Sequence, residues 1–316
     1  MFLWWLQHIF CLLNYRIDSL SFCRYAVVTG GNKGIGLEIC RQLASQGLLV
    51  IMTARDEKRG IEALENLKKS GINPDDLVFH QLDVTDSNSV ASLADFIKAK
   101  FGKLDILVNN AAINGVILNP DALAATLAGT PGVEDNLGQF SQQTYELAEE
   151  CIRTNYYGAK RTIEVLLPLL QLSDSPRIVN VSSSLGKLKL IPSERIRKIL
   201  GDIDNLAEEK INQILNDFLR DFKDGLFVSK GWPPHYSAYI MSKAALNALT
   251  RILAKKYPSI IINAICPGFV KTDMTGNKGF LSVEEGGASP TKLALMPPGS
   301  PSGLFYVRFE VSSFDE

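Results

Sequence analysis

Histidine is scarce in this chain and cysteine is unpatterned. The 316 residues hold three histidines, His8, His80 and His235, and five cysteines, Cys11, Cys23, Cys40, Cys151 and Cys266. The histidines are too few and too scattered for a metal cluster. The cysteines are odd in number, widely spaced and never in a C-x-x-C pair, which argues against a disulfide framework or a zinc site and suits a reducing compartment. No charge of one sign dominates: 33 Lys+Arg stand against 34 Asp+Glu. A net charge of -1 supplies no global attraction to nucleic acid or to an anionic membrane. Long hydrophobic runs are missing as well. Residues 1–13, MFLWWLQHIFCLL, are uncharged, but Gln7 and His8 split them into runs of six and five, short of the roughly 20 apolar residues that span a bilayer. The first charge is Arg16, so the basic region of a secretory signal does not precede the apolar stretch. Residues 1–22 read as an apolar extension, with membrane contact through Trp4 and Trp5 as an alternative.

What is present is a regular alternation. Short β-branched runs at 25–29, 48–53, 77–82, 106–109, 177–181, 260–265 and 304–307 are separated by helix-length amphipathic stretches, the pattern of a parallel sheet wrapped by helices. The runs are almost continuously apolar, as strands covered on both faces are. The expectation is an α/β fold: one doubly wound Rossmann domain over residues 23–316 with a seven-stranded parallel sheet. Residues 113–142, rich in Gly, Pro and Asn, and residues 185–234, with two charged helical segments, interrupt the minimal alternation.

Two motifs carry chemistry. Thr29-Gly30-Gly31-Asn32-Lys33-Gly34-Ile35-Gly36 lies between the first strand and the first helix. There Gly30 permits a tight turn, Gly34 lets the backbone approach a pyrophosphate, and Gly36 lets the helix pack on the sheet. The helix N-terminus offers free N–H groups to the phosphates. At the end of the second strand, where an acidic residue would hold the ribose of NAD, stand Ala54 and Arg55, with Lys33 already in the glycine turn. Two cations near one ribose favour a 2′-phosphate and hence NADP(H). The alternative is that Asp56 takes the NAD role. The second motif is Tyr239-Ile240-Met241-Ser242-Lys243. At i and i+4 the phenol and the ammonium share a helix face. Lowering a phenol from pKa about 10 to about 7 takes roughly 4 kcal/mol of phenolate stabilisation.

Together with Leu82-Asp83-Val84, Val108-Asn109-Asn110-Ala111, Asn155 in Thr154-Asn155-Tyr156-Tyr157-Gly158, Asn180-Val181-Ser182-Ser183, and Pro267-Gly268 followed by Thr272, these motifs give a chain that resembles the short-chain dehydrogenase/reductase family over residues 24–310. Within it, the long insert and Gly231-Trp232-Pro233 are similar to the monomeric carbonyl reductases and to the plant neomenthol, menthone and salutaridine reductases. The resemblance implies a catalytic tetrad: Tyr239 as general acid, Ser183 polarising the carbonyl oxygen, Lys243 binding the nicotinamide ribose, and Asn155 holding a relay water. It implies that Asp83 and Val84 contact the adenine, that Asn110 shapes the cofactor pocket and that Thr272 meets the carboxamide. Asn32, Ile35, Pro267, Gly268 and Val270 complete the implied cofactor wall.

The expected activity is NADPH-dependent reduction of a ketone or aldehyde on a small apolar substrate, terpenoid, alkaloid or aromatic. The alternatives are a membrane-associated oxidoreductase of lipid carbonyls and a nucleotide-binding protein with little turnover. A departure from the family pattern is Ala112, which stands where a glycine usually follows Asn-Asn-Ala. Residues 185–234 are expected to cap the substrate site and cover the surface other members use to dimerise, giving a cytoplasmic monomer that takes no metal and no nucleic acid. Leu185, Leu188, Leu190 and Ile191, with Phe280 and Leu281, are candidates for an apolar substrate wall.

Overall fold

The computed structural model describes residues 24–119, 121–123, 138 and 140–316. The apolar extension, with Trp4 and Trp5, lies outside the described residues, as do residues 124–137 of the irregular stretch.

Seven parallel strands form the sheet, close to the expected runs: β1 (Tyr25–Val28), β2 (Leu49–Ala54), β3 (Leu77–Gln81), β4 (Ile106–Asn109), β7 (Arg177–Val181), β8 (Ile261–Cys266) and β9 (Phe305–Val307). Their order is β9-β8-β7-β4-β1-β2-β3. The expectation of seven strands needs one correction. An eighth, β10 (Glu310–Ser312), pairs antiparallel with β9 at the edge. It is short, and its Glu310 and Val311 are exposed, so it lacks the continuous apolar signature of a strand buried on both faces. Two further short strands, β5 (Ile117–Leu118) and β6 (Ser141–Gln142), pair as a separate ribbon.

Alternate residues of each strand serve opposite faces. Val27, Ile51, Leu107, Ile178 and Ile262 belong to one core, shared with α3 (Ser87–Phe101), α5 (Ala159–Leu170) and α8 (Ser237–Lys256). Ala26, Val28, Val50, Met52, Val108 and Ile265 face the other, beneath α1 (Gly34–Ala44), α2 (Glu57–Lys69) and α9 (Val283–Ala294). Because β4 returns to the opposite side of β1 from β2, the strand order reverses between β1 and β4. The crevice outside the carboxyl ends at such a switch point is where doubly wound sheets bind ligands.

The insert holds the two helices its charge pattern predicts, α6 (Glu194–Gly201) and α7 (Glu208–Lys223). Ile211, Ile214, Leu215, Phe218 and Phe222 form a helical stripe that buries α7, and both helices pack beside α8. Asp221, buried at the end of that stripe, accepts hydrogen bonds from Trp232 Nε1 at 2.9 Å and Lys230 Nζ at 2.7 Å. Those charged and aromatic partners hold its carboxyl below the usual range against the upward push of burial. The insert is thereby tied to the segment that leads into α8.

Candidate active site

The glycine turn is built as its spacing demands. Gly30 and Gly34 have φ of +66° and +54°, a region that costs other residues about 1 kcal/mol or more. Gly36 has no room for a side chain: a Cβ there would sit 2.3 Å from Gly30 O and 2.4 Å from Asn110 Nδ2. Asn110 explains the crowding, because its Nδ2 donates to the carbonyls of Thr29 and Gly30 at 2.9 and 3.2 Å. Thr29 Oγ1 in turn accepts from the backbone N–H groups of Asn110 and Ala111. Loop and turn are thus locked to each other, and the free N-terminus of α1 opens into a groove. Asn32, Lys33, Ile35 and Arg55 line one part of that groove, and Asp83, Val84 and Thr272 another. A cradle this close to bare backbone fits a dinucleotide pyrophosphate.

The candidate phosphate cations are both exposed and lightly engaged. Lys33 Nζ lies 2.6 Å from Asp273, and Arg55 lies 3.7 Å from Glu150. Exposed pairs of this kind contribute about 0–1 kcal/mol, so either side chain can turn to a stronger anion. Asp56 is committed elsewhere: its carboxylate caps α2 by accepting from Arg59 N at 3.0 Å. Asp83 has its Oδ1 engaged by Thr85 N and Oγ1.

Asn155, Ser183 and the Tyr239/Lys243 pair come from three separate stretches, and buried polar bonds tie the elements that carry them. Asn155 sits in a π-helical turn, Arg153–Gly158, between α4 (Tyr145–Ile152) and α5, the kind of local widening that recurs at functional sites. Its Oδ1 accepts from Ile113 N, and its Nδ2 donates to Ile113 O, all at 2.9 Å. Nδ2 also donates to Ser242 Oγ at 3.1 Å, and that hydroxyl donates to Tyr239 O. Ser242 is a link the sequence reading missed. A second chain runs Asn109 Nδ2 to Asn180 Oδ1, then Asn180 Nδ2 to Thr250 Oγ1, each 2.9 Å. It holds β4, β7 and α8 in fixed relation.

Ser183 lies two residues beyond β7 in extended backbone, and its Oγ accepts from Leu185 N. Lys243 is 2% exposed. Its Nζ donates to Val181 O at 2.8 Å and lies 5.6 Å from the centre of the Tyr239 ring. Burial lowers its pKa to about 8. Burial pushes the Tyr239 phenol well above its ordinary value, with the neighbouring Cys266 thiol adding to the rise and the Ser183 hydroxyl partly offsetting it. Near neutral pH this phenol keeps its proton.

Tyr239 and Lys243 border an apolar cavity of roughly 370 Å³ that also touches Ser183, Pro267, Gly268 and Val270. Ile35, Asn110, Ala112 and Thr272 line both cavity and groove, so the two adjoin. Ala112 is not among the residues with positive φ, so its methyl sits on ordinary backbone. The expected apolar wall is corrected in part. Leu185 and Phe280 do line the cavity. Leu188 and Ile191 are instead buried in the core, with Leu190 packed against it, because the chain there turns under α6. Leu281 sits beside Val270 in a β-bridge. Leu118, Leu123 and Phe140 of the irregular stretch also line it, with Phe269 and Met274 from the segment after β8.

Tyr236 also lines this cavity and was not singled out from the sequence. It precedes α8 with φ +49°, an uncommon conformation for a bulky residue that costs about 1–2 kcal/mol. Gln143 brackets it: Oε1 accepts from Ser237 N at 2.6 Å, and Nε2 donates to Pro234 O at 3.0 Å.

Among the described residues there is no cluster of His, Cys, Asp or Glu able to hold a metal, and no helix long and apolar enough to cross a membrane.

Comparison with known proteins agrees with this geometry. Residues 24–193 match the short chain dehydrogenase family, and residues 226–291 match a second family model described as enoyl-(acyl carrier protein) reductase. The chain is 66% identical over 292 residues to short-chain dehydrogenase/reductase 1 of Saponaria officinalis, covering 92% of this chain and 96% of the relative. It is 57% identical to the (+)-neomenthol dehydrogenase of Arabidopsis thaliana, covering 92% and 98%. It is 38% identical to a carbonyl reductase of Homo sapiens named for NADPH, covering 89% and 94%. Salutaridine reductase from Papaver somniferum superposes with a TM-score of 0.84 at 51% identity, over 90% of this chain and 99% of that one. The glycine turn, the Tyr-x-x-x-Lys helix and these likenesses make the chain a member of the short-chain dehydrogenase/reductase family, an oxidoreductase of carbonyl and alcohol groups whose fold serves a nicotinamide dinucleotide.

Proposed function

We propose that the protein is an NADPH-dependent reductase of a ketone or aldehyde carried on a small apolar substrate, and that Asn155, Ser183, Tyr239 and Lys243 perform the reaction. The observation that carries this reading is the placement of Tyr239, beside Ser183 and Lys243, in the apolar cavity that adjoins the glycine-lined groove. A carbonyl oxygen that gains negative charge needs a proton donor within hydrogen-bond reach. Tyr239 gives that proton, and Ser183 donates a hydrogen bond to the same oxygen. The dinucleotide, when bound, supplies the hydride. Lys243 holds the nicotinamide ribose and its positive charge favours the phenolate left on Tyr239. Asn155 fixes the π-turn against Ile113 and the catalytic helix, keeping the proton route to Lys243 in register. The glycine turn with Asn32 and Ile35 cradles the pyrophosphate, Asp83 and Val84 receive the adenine, and Pro267, Gly268, Val270 and Thr272 hold the nicotinamide end. Arg55 and Lys33 take the 2′-phosphate. The names of the relatives support a terpenoid, alkaloid or aromatic carbonyl compound as substrate.

Tyr239→Phe removes the proton and keeps the ring. It should cut kcat for NADPH-dependent ketone reduction by about a thousandfold, in the range general acids contribute, while NADPH affinity stays within a few fold. Turnover undiminished in the variant overturns the assignment. The insert 185–234 caps the site's flank, contributing Leu185 to the wall and covering α8 with α6 and α7. We read the protein as a monomer on that ground, and light scattering should give a mass near 34.8 kDa.

A further inference from the structure

The apolar side of the cavity contains one polar group whose position is expensive to build. Tyr236 is 8% exposed and takes a left-handed backbone conformation that a glycine or asparagine would adopt with less strain. Its ring meets Phe140 edge-on at 6.2 Å and Tyr239 edge-on at 6.4 Å. Gln143 clamps the backbone on either side of it, and Ser237 Oγ adds a bond to Pro233 O. Three separate restraints therefore aim this side chain into the cavity. Among the described residues its hydroxyl nevertheless has no hydrogen-bond partner, while several other polar side chains of the cavity are spent on the protein itself. Asn110 is bound to Thr29 and Gly30, Asn114 to Met274 and Val116, and Thr275 to Val270 and Thr272. Burial pushes the Tyr236 pKa up to about 12, so the hydroxyl is a donor throughout the physiological range. A donor facing an apolar cavity with no partner in the wall discriminates between ligands, because one that fills the cavity without an acceptor leaves it unpaired.

We propose that Tyr236 is a specificity-determining residue that donates a hydrogen bond to a second oxygen of the substrate, beside the carbonyl that Tyr239 protonates. The substrate class is accordingly a ketone bearing a vicinal ether, hydroxyl or second carbonyl on an apolar skeleton. This rests on the reductase reading and narrows it.

The test uses a near-isosteric pair, 2-methoxycyclohexanone and 2-ethylcyclohexanone, in which an ether oxygen replaces a methylene. Steady-state NADPH oxidation gives kcat/KM for each with wild type and Tyr236→Phe, a variant that retains the ring and its edge contacts. The ratio of methoxy to ethyl ketone should fall about three- to tenfold in the variant, the size expected for one hydrogen bond. Comparing ratios cancels the electronic effect of the ether and any general loss of packing, which act on both enzymes or on both ketones alike. Calorimetric dissociation constants of the two ketones for the NADPH-loaded proteins give the same ratio without turnover. A ratio unchanged between wild type and variant, by kinetics or by binding, overturns the proposal and leaves Tyr236 a packing residue. Wild-type binding with the expected ratio but no NADPH oxidation would sustain the role of Tyr236 and sink the reductase reading instead.

Discussion

The groove and the cavity adjoin but are made of different material. Backbone builds the groove: Gly30 and Gly34 at positive φ, Gly36 with no space for a methyl, and peptide groups tied by Asn110 and Thr29. Side chains from distant stretches build the cavity: Leu118 and Phe140 from one, Leu185 from the insert, Tyr236 from the approach to α8, and Phe280 from beyond β8. A backbone cradle tolerates almost no change in shape, whereas a wall of side chains can be replaced one member at a time.

Substitutions in the two regions should separate cleanly by size of effect. Gly36→Ala places a methyl against Gly30 O and Asn110 Nδ2, which neither the turn nor its lock can accommodate without displacement. Overpacking of this kind costs roughly 3 kcal/mol, so calorimetry should record NADPH affinity about a hundredfold weaker. Unchanged affinity would mean that the turn is softer than its contacts indicate. Arg55→Asp acts at the groove's rim, where the side chain is exposed and sits 3.7 Å from Glu150. Loss of a charge-assisted bond to phosphate is worth about 1.5–3 kcal/mol, so the NADPH-to-NADH ratio of kcat/KM should fall at least about tenfold, and a constant ratio would remove Arg55 from the cofactor site. Phe280→Ala is the mildest. Phe280 is 69% exposed and rests against Phe269 at 5.5 Å between ring centres, so only a partial contact is lost. KM for an apolar ketone should rise about two- to fivefold with NADPH affinity untouched. A large loss of cofactor binding in this variant would erase the distinction between the two regions.

The legibility of the two regions in the sequence followed the same division. The seven parallel strands were readable because strands covered on both faces are continuously apolar, and β10 was not, because an exposed edge strand carries no such run. Glycine spacing and Tyr239-x-x-x-Lys243 were readable because their geometry is local, within one turn or one helix. Ser242, though inside that motif, acquires its role only where the π-turn carrying Asn155 meets α8. Gln143 and Tyr236 are ordinary residues until the chain brings the end of the irregular stretch against the start of α8. Leu188 and Ile191 misled for the complementary reason: an apolar residue looks the same whether it lines a cavity or fills a core.

By itself the sequence determined the strand succession, the glycine turn, the helix bearing Tyr239 and Lys243, and the two helices of the insert, all of which rest on contacts or backbone preferences spanning a few residues. Tertiary structure alone decided that β4 would lie beside β1 and open the crevice, that Asp221 would anchor the segment before α8, and which apolar side chains would face the cavity. The β1–β4 pairing joins Ala26 to Ile106, and the cavity gathers Ile35, Leu118, Leu185 and Phe280 from separate stretches; no local pattern encodes a meeting of that kind.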